Sequence, residues 1–508
     1  MLTTCVGLFI AYKLFRWEKE EKIRGSAKLW LAVVLAPFLL LGGWQMHTRN
    51  GIVRTRVLSR QMARGDTYLI RGARVFVGDG KVIESGSVLV RAGKIAGVYE
   101  GNGPDPKSVN AEVVEAVGKT ILPGLIDVHV HLGAPGGIYS DMSKFDPDKS
   151  MRRELAAYLY SGVTTVRSVG DGLESVLRVR SMVNGGEALG AELRTCGPLF
   201  TTAGGHGTEY FKDLPANIRT RLEQQSLRLP ATVEEARQQV DDLKKRDVDC
   251  IKAILEAGGG GQVFNRFDTG VFDAVARAAH ADDLPLAVHT GDARDVADAV
   301  KAQADSIEHG SFREPIPDTV FDQMAKQGTF YDPTLSVGEA LRDFAAGKNT
   351  LLKRSLVQQV GPPDLLQGTE DALTSKDTET LRKELALYPI DMQLAVDNLK
   401  RAHQHGVLLV TGSDAGNLLV IHGPTVQREL ELWVQAGIPP AVALQAATHN
   451  AARLLRAERR IGSIQPGNDA DLLVVDGNPL EDITATERIS LVVFKGERIE
   501  RNELFNQR

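Results

Sequence analysis

The sequence predicts an α/β fold, a (β/α)8 barrel of the TIM type with a small β-sandwich domain built from both ends of the folded region. Three observations lead there. Short apolar runs alternate with helical stretches through the middle of the chain. Turn-punctuated β segments recur at two distant places that can pair. Ligand-type side chains stand at the ends of the buried runs.

Composition sets the outer bounds. The chain has 508 residues, 43% of them hydrophobic and 25% charged, which excludes a disordered or fibrous protein. A prior of ~150 residues per domain gives about three units. With 60 Lys+Arg against 65 Asp+Glu, the formal charge of −5 offers no basic face for nucleic acid. Cys5, Cys196 and Cys250 are too few and too scattered for a disulfide framework or a thiolate zinc site.

Residues 1–60 read as an N-terminal anchor or signal region. Leu29 to Trp44 is sixteen residues without a charge, short of the ~17–25 usual for a spanning helix but compatible with a single membrane anchor. Leu2 to Tyr12 is too brief to span alone. Lys13, Arg16, Lys19, Lys22, Arg24 and Lys28 upstream favour a cytoplasmic N-terminal side and an exported, periplasmic or extracellular body, while Arg49, Arg54, Arg56, Arg60 and Arg64 beyond weaken that orientation. A secreted or a cytoplasmic protein is the alternative, and no A-x-A-like cleavage site follows the apolar run.

Residues 66–122 alternate in short β-branched runs, with Asp79-Gly80 and Ala92-Gly93 as hairpin turns. The stretch 461–504 repeats that character in DLLVVD and ISLVVFK, and completes the same small domain. Between them, residues 123–460 carry the βα units. Strands are expected at Val163–Val166, Leu193–Cys196, Cys250–Ile254, Leu286–His289, Ser306–Glu308 and Leu408–Thr411, and a capping box, Thr232-x-x-Glu235, opens one helix. The polar segment Gly338–Ala395 reads as a helical insertion in a βα loop, a lid over the site.

The chemistry centres on LPGLIDVHVHLG. His129 and His131 are two apart on an apolar run, so in a strand both imidazoles point to one side and can grip one cation. Two incidental strand histidines are the competing reading. His403 and His405 have the same spacing, but on a helix, where two residues are ~200° apart, and cannot readily chelate. His47, His280 and His449 read as surface or packing residues. Lys252 lies in the apolar run DCIKAIL, His289 closes LPLAVH, His309 follows DSIE, and Asp414 closes LLVTGSD. In a barrel the carboxyl ends of the strands share one face, so these side chains converge. The run Gly258–Gly261 lacks a following Lys-Ser/Thr and is a flexible active-site loop rather than a phosphate loop.

From these motifs the sequence resembles the metal-dependent amidohydrolase superfamily, over roughly Thr67 to Arg498. The matching segments are PGLIDVHVH, GVTTVRSVG (Gly162–Gly170), GGHG (Gly204–Gly207), SIEHG (Ser306–Gly310), TGSDAG (Thr411–Gly416), and ATHNAARLL followed by IGSIQPGNDADLLVVDGNPLEDI. The likeness is to the branch holding imidazolonepropionase and the Xaa-Pro and Xaa-Arg dipeptidases. It implies two zinc ions per chain, the first held by His129, His131 and Asp414 and the second by His289 and His309. Lys252, carboxylated by CO2, would bridge them.

Asp414 is then the general base turned acid for a water activated by the metals. His206 in the GGHG loop is a candidate for the oxyanion or the substrate carboxylate. Tyr331, Arg167 and His422 are further candidates to face substrate. The implied reaction is hydrolysis of a dipeptide or an N-acyl amino acid. A mononuclear cyclic-amide or imidazolone hydrolase or deaminase is one alternative, and a non-catalytic membrane-tethered binding protein is another. Self-association into a homo-oligomer stays open.

Overall fold

A computed structural model describes residues 25–141, 145–212, 214–259 and 261–506. The chain divides into two units, Met1–Gln61 and Met62–Arg508. A 40-residue helix, Gly25–Arg64, accounts for the described part of the first. The stretch Leu2 to Tyr12 lies outside the described residues. Among those described, no helix is long and apolar enough to cross a membrane. The apolar run Leu29 to Trp44, read from sequence as an anchor, lies on the Gly25–Arg64 helix. Sixteen residues rise only ~24 Å along a helix, less than the ~30 Å of a bilayer's hydrocarbon core.

The second unit opens with strands β1 (Thr67–Phe76), β2 (Val82–Arg91), β3 (Lys94–Glu100), β4 (Glu112–Glu115) and β5 (Lys119–Pro123). A parallel α/β region follows, with β6 (Leu125–Val130), β7 (Val163–Ser168), β8 (Glu192–Thr195), β9 (Leu199–Phe200), β10 (Leu227–Arg228) and β11 (Ile251–Ile254). After a hairpin of β12 (Gly258–Gly259) and β13 (Gln262–Val263) come β14 (Leu286–His289), β15 (Ser306–Glu308), β16 (Phe330–Asp332) and β17 (Leu408–Leu409). The chain closes with β18 (Leu472–Asp476), β19 (Ile489–Phe494) and β20 (Glu497–Arg498).

Strands from the two ends share one eight-stranded sheet, ordered β20-β19-β18-β5-β1-β2-β3 with β4 also on β1. Both ends of the folded region thus contribute strands to one hydrogen-bonded sheet among the described residues. β1 is ten residues long and irregular between Arg71 and Val75, which lets it pair with β2 along one edge and with β4 and β5 along the other. Ile70, Val88, Ile121, Leu472 and Val493 bury their side chains in a core belonging to this sheet.

The parallel strands form two sheets, β6-β7-β8 and β10-β9-β11-β14-β15-β16-β17. Every residue of β6 and β7 is buried, as expected where both faces of a parallel sheet are covered. Backbone hydrogen bonds join the sheets at both ends: Val128 N–H to Thr411 O at 3.1 Å, and Asp249 N–H to Thr195 O at 2.8 Å. The architecture is a mixed α/β fold. Its helices begin where local chemistry says they should; Thr232 accepts from Glu235 N–H at 3.2 Å and the Glu235 carboxylate takes Ala231 N–H at 2.7 Å.

The segment between β16 and β17 contains five helices, from Leu335–Ala345 to Met392–Gln404. It is not a loose appendage, because Phe344, Leu352, Leu356, Val360 and Leu365 sit in the main hydrophobic core.

Two cysteines read from sequence as scattered are joined. Cys196 follows β8 and Cys250 precedes β11, with Cα atoms 4.4 Å apart and a disulfide across a sequence separation of 54. The strands on either side of the sheet junction bring them together. A Cys196→Ser/Cys250→Ser protein is expected to lose about 2–4 kcal/mol of stability. Urea unfolding checks this, and coincident midpoints would show that the bond contributes nothing.

Candidate metal centre

The site begins with the approach of β6 to the segment after β17. His131 N–H donates to Ala415 O and Asp414 N–H to His129 O, both at 2.8 Å. The Asp127 carboxylate ties the two further, accepting Ser413 N–H at 3.0 Å, Ser413 Oγ at 2.5 Å and His129 N–H at 3.2 Å. Glycine is required at 412, since a Cβ there would meet the His129 Cβ at 2.4 Å. The result places Asp414 Oδ1 3.1 Å from His131 Nε2 and 3.4 Å from His129 Nε2. The two imidazoles are 5.4 Å apart, as two same-side strand residues should be.

The remaining predicted ligands converge on the same place. The His309 ring lies 4.9 Å from that of His129 and 4.4 Å from that of His289. His309, Asp414 and Thr334 all take left-handed backbone, with φ of 68°, 55° and 43°. Such conformations cost of order 1–3 kcal/mol each and persist only where surrounding structure enforces them. Glu429 supplies part of that enforcement, accepting Leu335 and Ser336 N–H at 2.8 and 2.6 Å, and Thr334 Oγ1 lies 2.6 Å from His309 Nδ1.

Burial governs the protonation states. It pushes His129 down to about 4 and holds His289 and His309 well below the usual histidine range, which favours the neutral imidazole in all three. Burial also lowers Lys252 to about 8, against the pull of the Glu308 and Asp414 carboxylates. For Asp414, burial acts upward, but His129, His131 and His309 outweigh it and keep the carboxyl far below its ordinary value.

The chemistry of these side chains suits a metal ion. His129 Nε2, Asp414 Oδ1 and Lys252 Nζ are all buried without a hydrogen-bond partner, an arrangement that native proteins avoid unless something else satisfies the atoms. His129, His309 and Asp414 can each aim a donor atom within 4.8 Å of the others. The second ring nitrogen of His129 is occupied by Glu308 Oε2 at 2.8 Å, which fixes the tautomer and leaves Nε2 with its lone pair. The donor set fits a divalent cation.

Of the substrate candidates, only His206 faces this centre, its ring 4.9 Å from those of His289 and Phe264 and its Nδ1 2.7 Å from Glu209 Oε1. Arg167 is buried beneath the site and donates to Glu308 Oε1 at 2.7 Å and to Val128 O at 2.6 Å. Tyr331 is fully buried, its hydroxyl 3.4 Å from His309 O. His422 is pinned between Ala134 O at 2.8 Å and the Tyr158 hydroxyl at 3.1 Å. Sequence reading missed Glu308 and Asp332 as partners of the site. Glu308 was visible as a carboxylate inside the apolar strand SIE. Burial pushes Asp332 well above the carboxylate range, with Glu308 adding to the push, whereas Arg167 and Lys252 hold Glu308 well below it despite burial.

The chain belongs to the amidohydrolase family, whose model matches residues 120–499. Among solved structures, it is 27% identical to a Xaa-Pro dipeptidase with methionine bound in the active site, with a TM-score of 0.68 over 86% of this chain and 100% of the other. Ochratoxinase from Aspergillus niger is 25% identical over 405 residues, 75% of each chain. Molinate hydrolase shares the fold, with a TM-score of 0.69 over 87% of this chain and 97% of the other at 22% identity.

Two outcomes follow from the placements. Arg167→Met is expected to destabilise the protein by about 3–5 kcal/mol, because it leaves Glu308 buried without its cation. Denaturation measures this; weaker substrate binding with unaltered stability would return Arg167 to a substrate-facing role. His422, pushed down by burial to about 4, is neutral when folded and protonated when unfolded between that value and about 6.5. Its contribution is therefore complete above about pH 6.5 and is lost as pH falls toward 4, on the order of 3 kcal/mol. His422→Asn should flatten the stability-versus-pH curve in that window, and an identical slope would contradict the assignment.

Proposed function

We propose that this amidohydrolase-family protein cleaves the amide bond of a dipeptide or an N-acyl amino acid, using a water activated at a binuclear zinc centre. We read the two parallel sheets as one closed (β/α)8 barrel with the centre at its carboxyl end. The observation that carries the reading is the convergence of three buried polar atoms that make no hydrogen bond: His129 Nε2, Lys252 Nζ and Asp414 Oδ1. Likeness to a Xaa-Pro dipeptidase supports the substrate class. The Cys196–Cys250 bond supports work in an oxidising, extracytoplasmic compartment.

His129, His131 and Asp414 would hold one ion, and His289 and His309 the other. Lys252 would bridge them as a carbamate, its amine adding to CO2 with loss of a proton. That change turns a buried, unpaired nitrogen into a two-oxygen anion, and burial, by lowering the lysine to about 8, favours the neutral amine that reacts. When bound, the ions bring water's pKa toward neutrality and polarise the scissile carbonyl.

The chain's own groups do the rest. Asp414 stays ionised across the physiological range, so Oδ1 can take the proton of the attacking water and hand it to the leaving nitrogen. His206, steadied through Nδ1 by Glu209, can meet the developing oxyanion or the substrate carboxylate. Arg167 and Glu308 act at one remove by fixing His129.

Screening zinc-loaded protein against a library of dipeptides and N-acyl amino acids tests the substrate class. Purified protein should carry about two zinc ions per chain, and Lys252→Ala should abolish turnover and reduce bound metal. Undiminished turnover in that variant would remove the bridging role. Metal analysis finding one ion would favour the mononuclear alternative, and none would favour a binding protein.

A further inference from the structure

A second buried carboxylate stands behind the centre. Glu256 lies two residues beyond β11 with a side chain 2% exposed. Its Oε2 accepts from His289 Nε2 at 2.8 Å, and its Oε1 accepts from both Arg313 Nη2 and the Tyr388 hydroxyl. Arg313 also donates through Nη1 to Gly258 O and through Nη2 to the Tyr388 oxygen, each at 2.7 Å. Its guanidinium lies 5.2 Å from the centroid of the Tyr388 ring. Four separate parts of the chain meet here: the ends of β11 and β14, the segment after β15, and the helical insertion.

The backbone leaves room for this cluster and for nothing larger. A Cβ at Gly291 would come within 2.7 Å of Glu256 Oε1, and one at Gly259 within 3.0 Å of both Arg313 Nε and Pro389 Cγ. The insertion is also tied to the segment after β15 directly, through Asp391 N–H to Phe312 O at 3.0 Å and Asn398 Nδ2 to Ser311 O at 3.0 Å.

Imidazole has two nitrogens, and a partner on one decides what the other can do. With the proton of His289 on Nε2 and shared with Glu256, Nδ1 keeps its lone pair for a cation. A carboxylate in this position fixes the tautomer and rotation of a metal-ligating histidine and raises its basicity. Glu308 does the same for His129 from the opposite nitrogen, Nδ1. Glu256 is poorly placed to be a ligand itself, because both of its oxygens are engaged and the Arg313 guanidinium offsets its charge.

We propose that Glu256 is a positioning residue for His289, and that Arg313 and Tyr388 lock it, which makes the helical insertion part of the metal site. The inference rests on His289 being a ligand, as in the function proposed above.

The test uses the full chain with Glu256→Gln and Tyr388→Phe, each confirmed as folded by thermal unfolding. Zinc affinity is read by competition with a chromogenic chelator, and ligand geometry by the visible spectrum of the cobalt-substituted protein. Glu256→Gln should bind one of its two ions about 10–100-fold more weakly and shift the cobalt bands. Tyr388→Phe should weaken the same ion by a smaller factor. Wild-type affinity and spectrum in folded Glu256→Gln overturn the positioning role while leaving the proposed function standing. If that variant does not fold, unchanged zinc affinity in Tyr388→Phe overturns it instead. Failure of the wild-type protein to bind zinc removes both.

Discussion

A carboxylate buried as completely as Glu308 has to be compensated, and much of the site is that compensation. Arg167 reaches it from β7 with a guanidinium that is itself enclosed, and Ser306 Oγ donates to the same oxygen at 2.5 Å. The other oxygen takes the His129 Nδ1 proton, which settles the tautomer of that ring. Burial, with Glu308 beside it, pushes Asp332, 3.4 Å from the same nitrogen, well above the carboxylate range. Charge compensation in the interior thus orients His129.

The second constraint is close backbone approach. Side chains from the two ends of the parallel region share one small volume only because Gly412 lets β17's continuation lie against β6. Left-handed backbone at His309, Thr334 and Asp414 turns the chain sharply just where these side chains converge. Asp127 and Glu429, both buried, pin the flanking peptides by accepting backbone N–H groups. Local strain is therefore offset by buried polar anchors rather than released into loops.

Features outside the sheets bear on the same centre. The disulfide lies beside the junction of the two parallel sheets, two residues before Lys252, and so secures the strand that carries the lysine. The helical insertion contributes to the main core and also delivers Tyr388 to Glu256. Support for the candidate centre comes from several parts of the parallel region, not from the motifs alone.

Residue chemistry and local period were enough to read the βα alternation and the pairing of His129 with His131. They also flagged the oddity of Lys252 in an apolar strand, because each depends on neighbours a few positions away. Arg167 and Tyr331 were read as facing substrate, and the structure turns both inward. Facing is a matter of one residue along a strand, and packing rather than sequence decides it. Cys196 and Cys250 sit 54 residues apart, and Glu256, Arg313 and Tyr388 span 132, so no spacing rule could have joined them. The sixteen-residue apolar run suggests a membrane anchor by composition, and among the described residues no helix is long and apolar enough to cross a membrane. The sequence by itself determined which chemistry is present and the strands that carry it. Only the tertiary structure decided which distant groups touch, because burial forces each charged or polar atom to find a partner wherever the fold provides one.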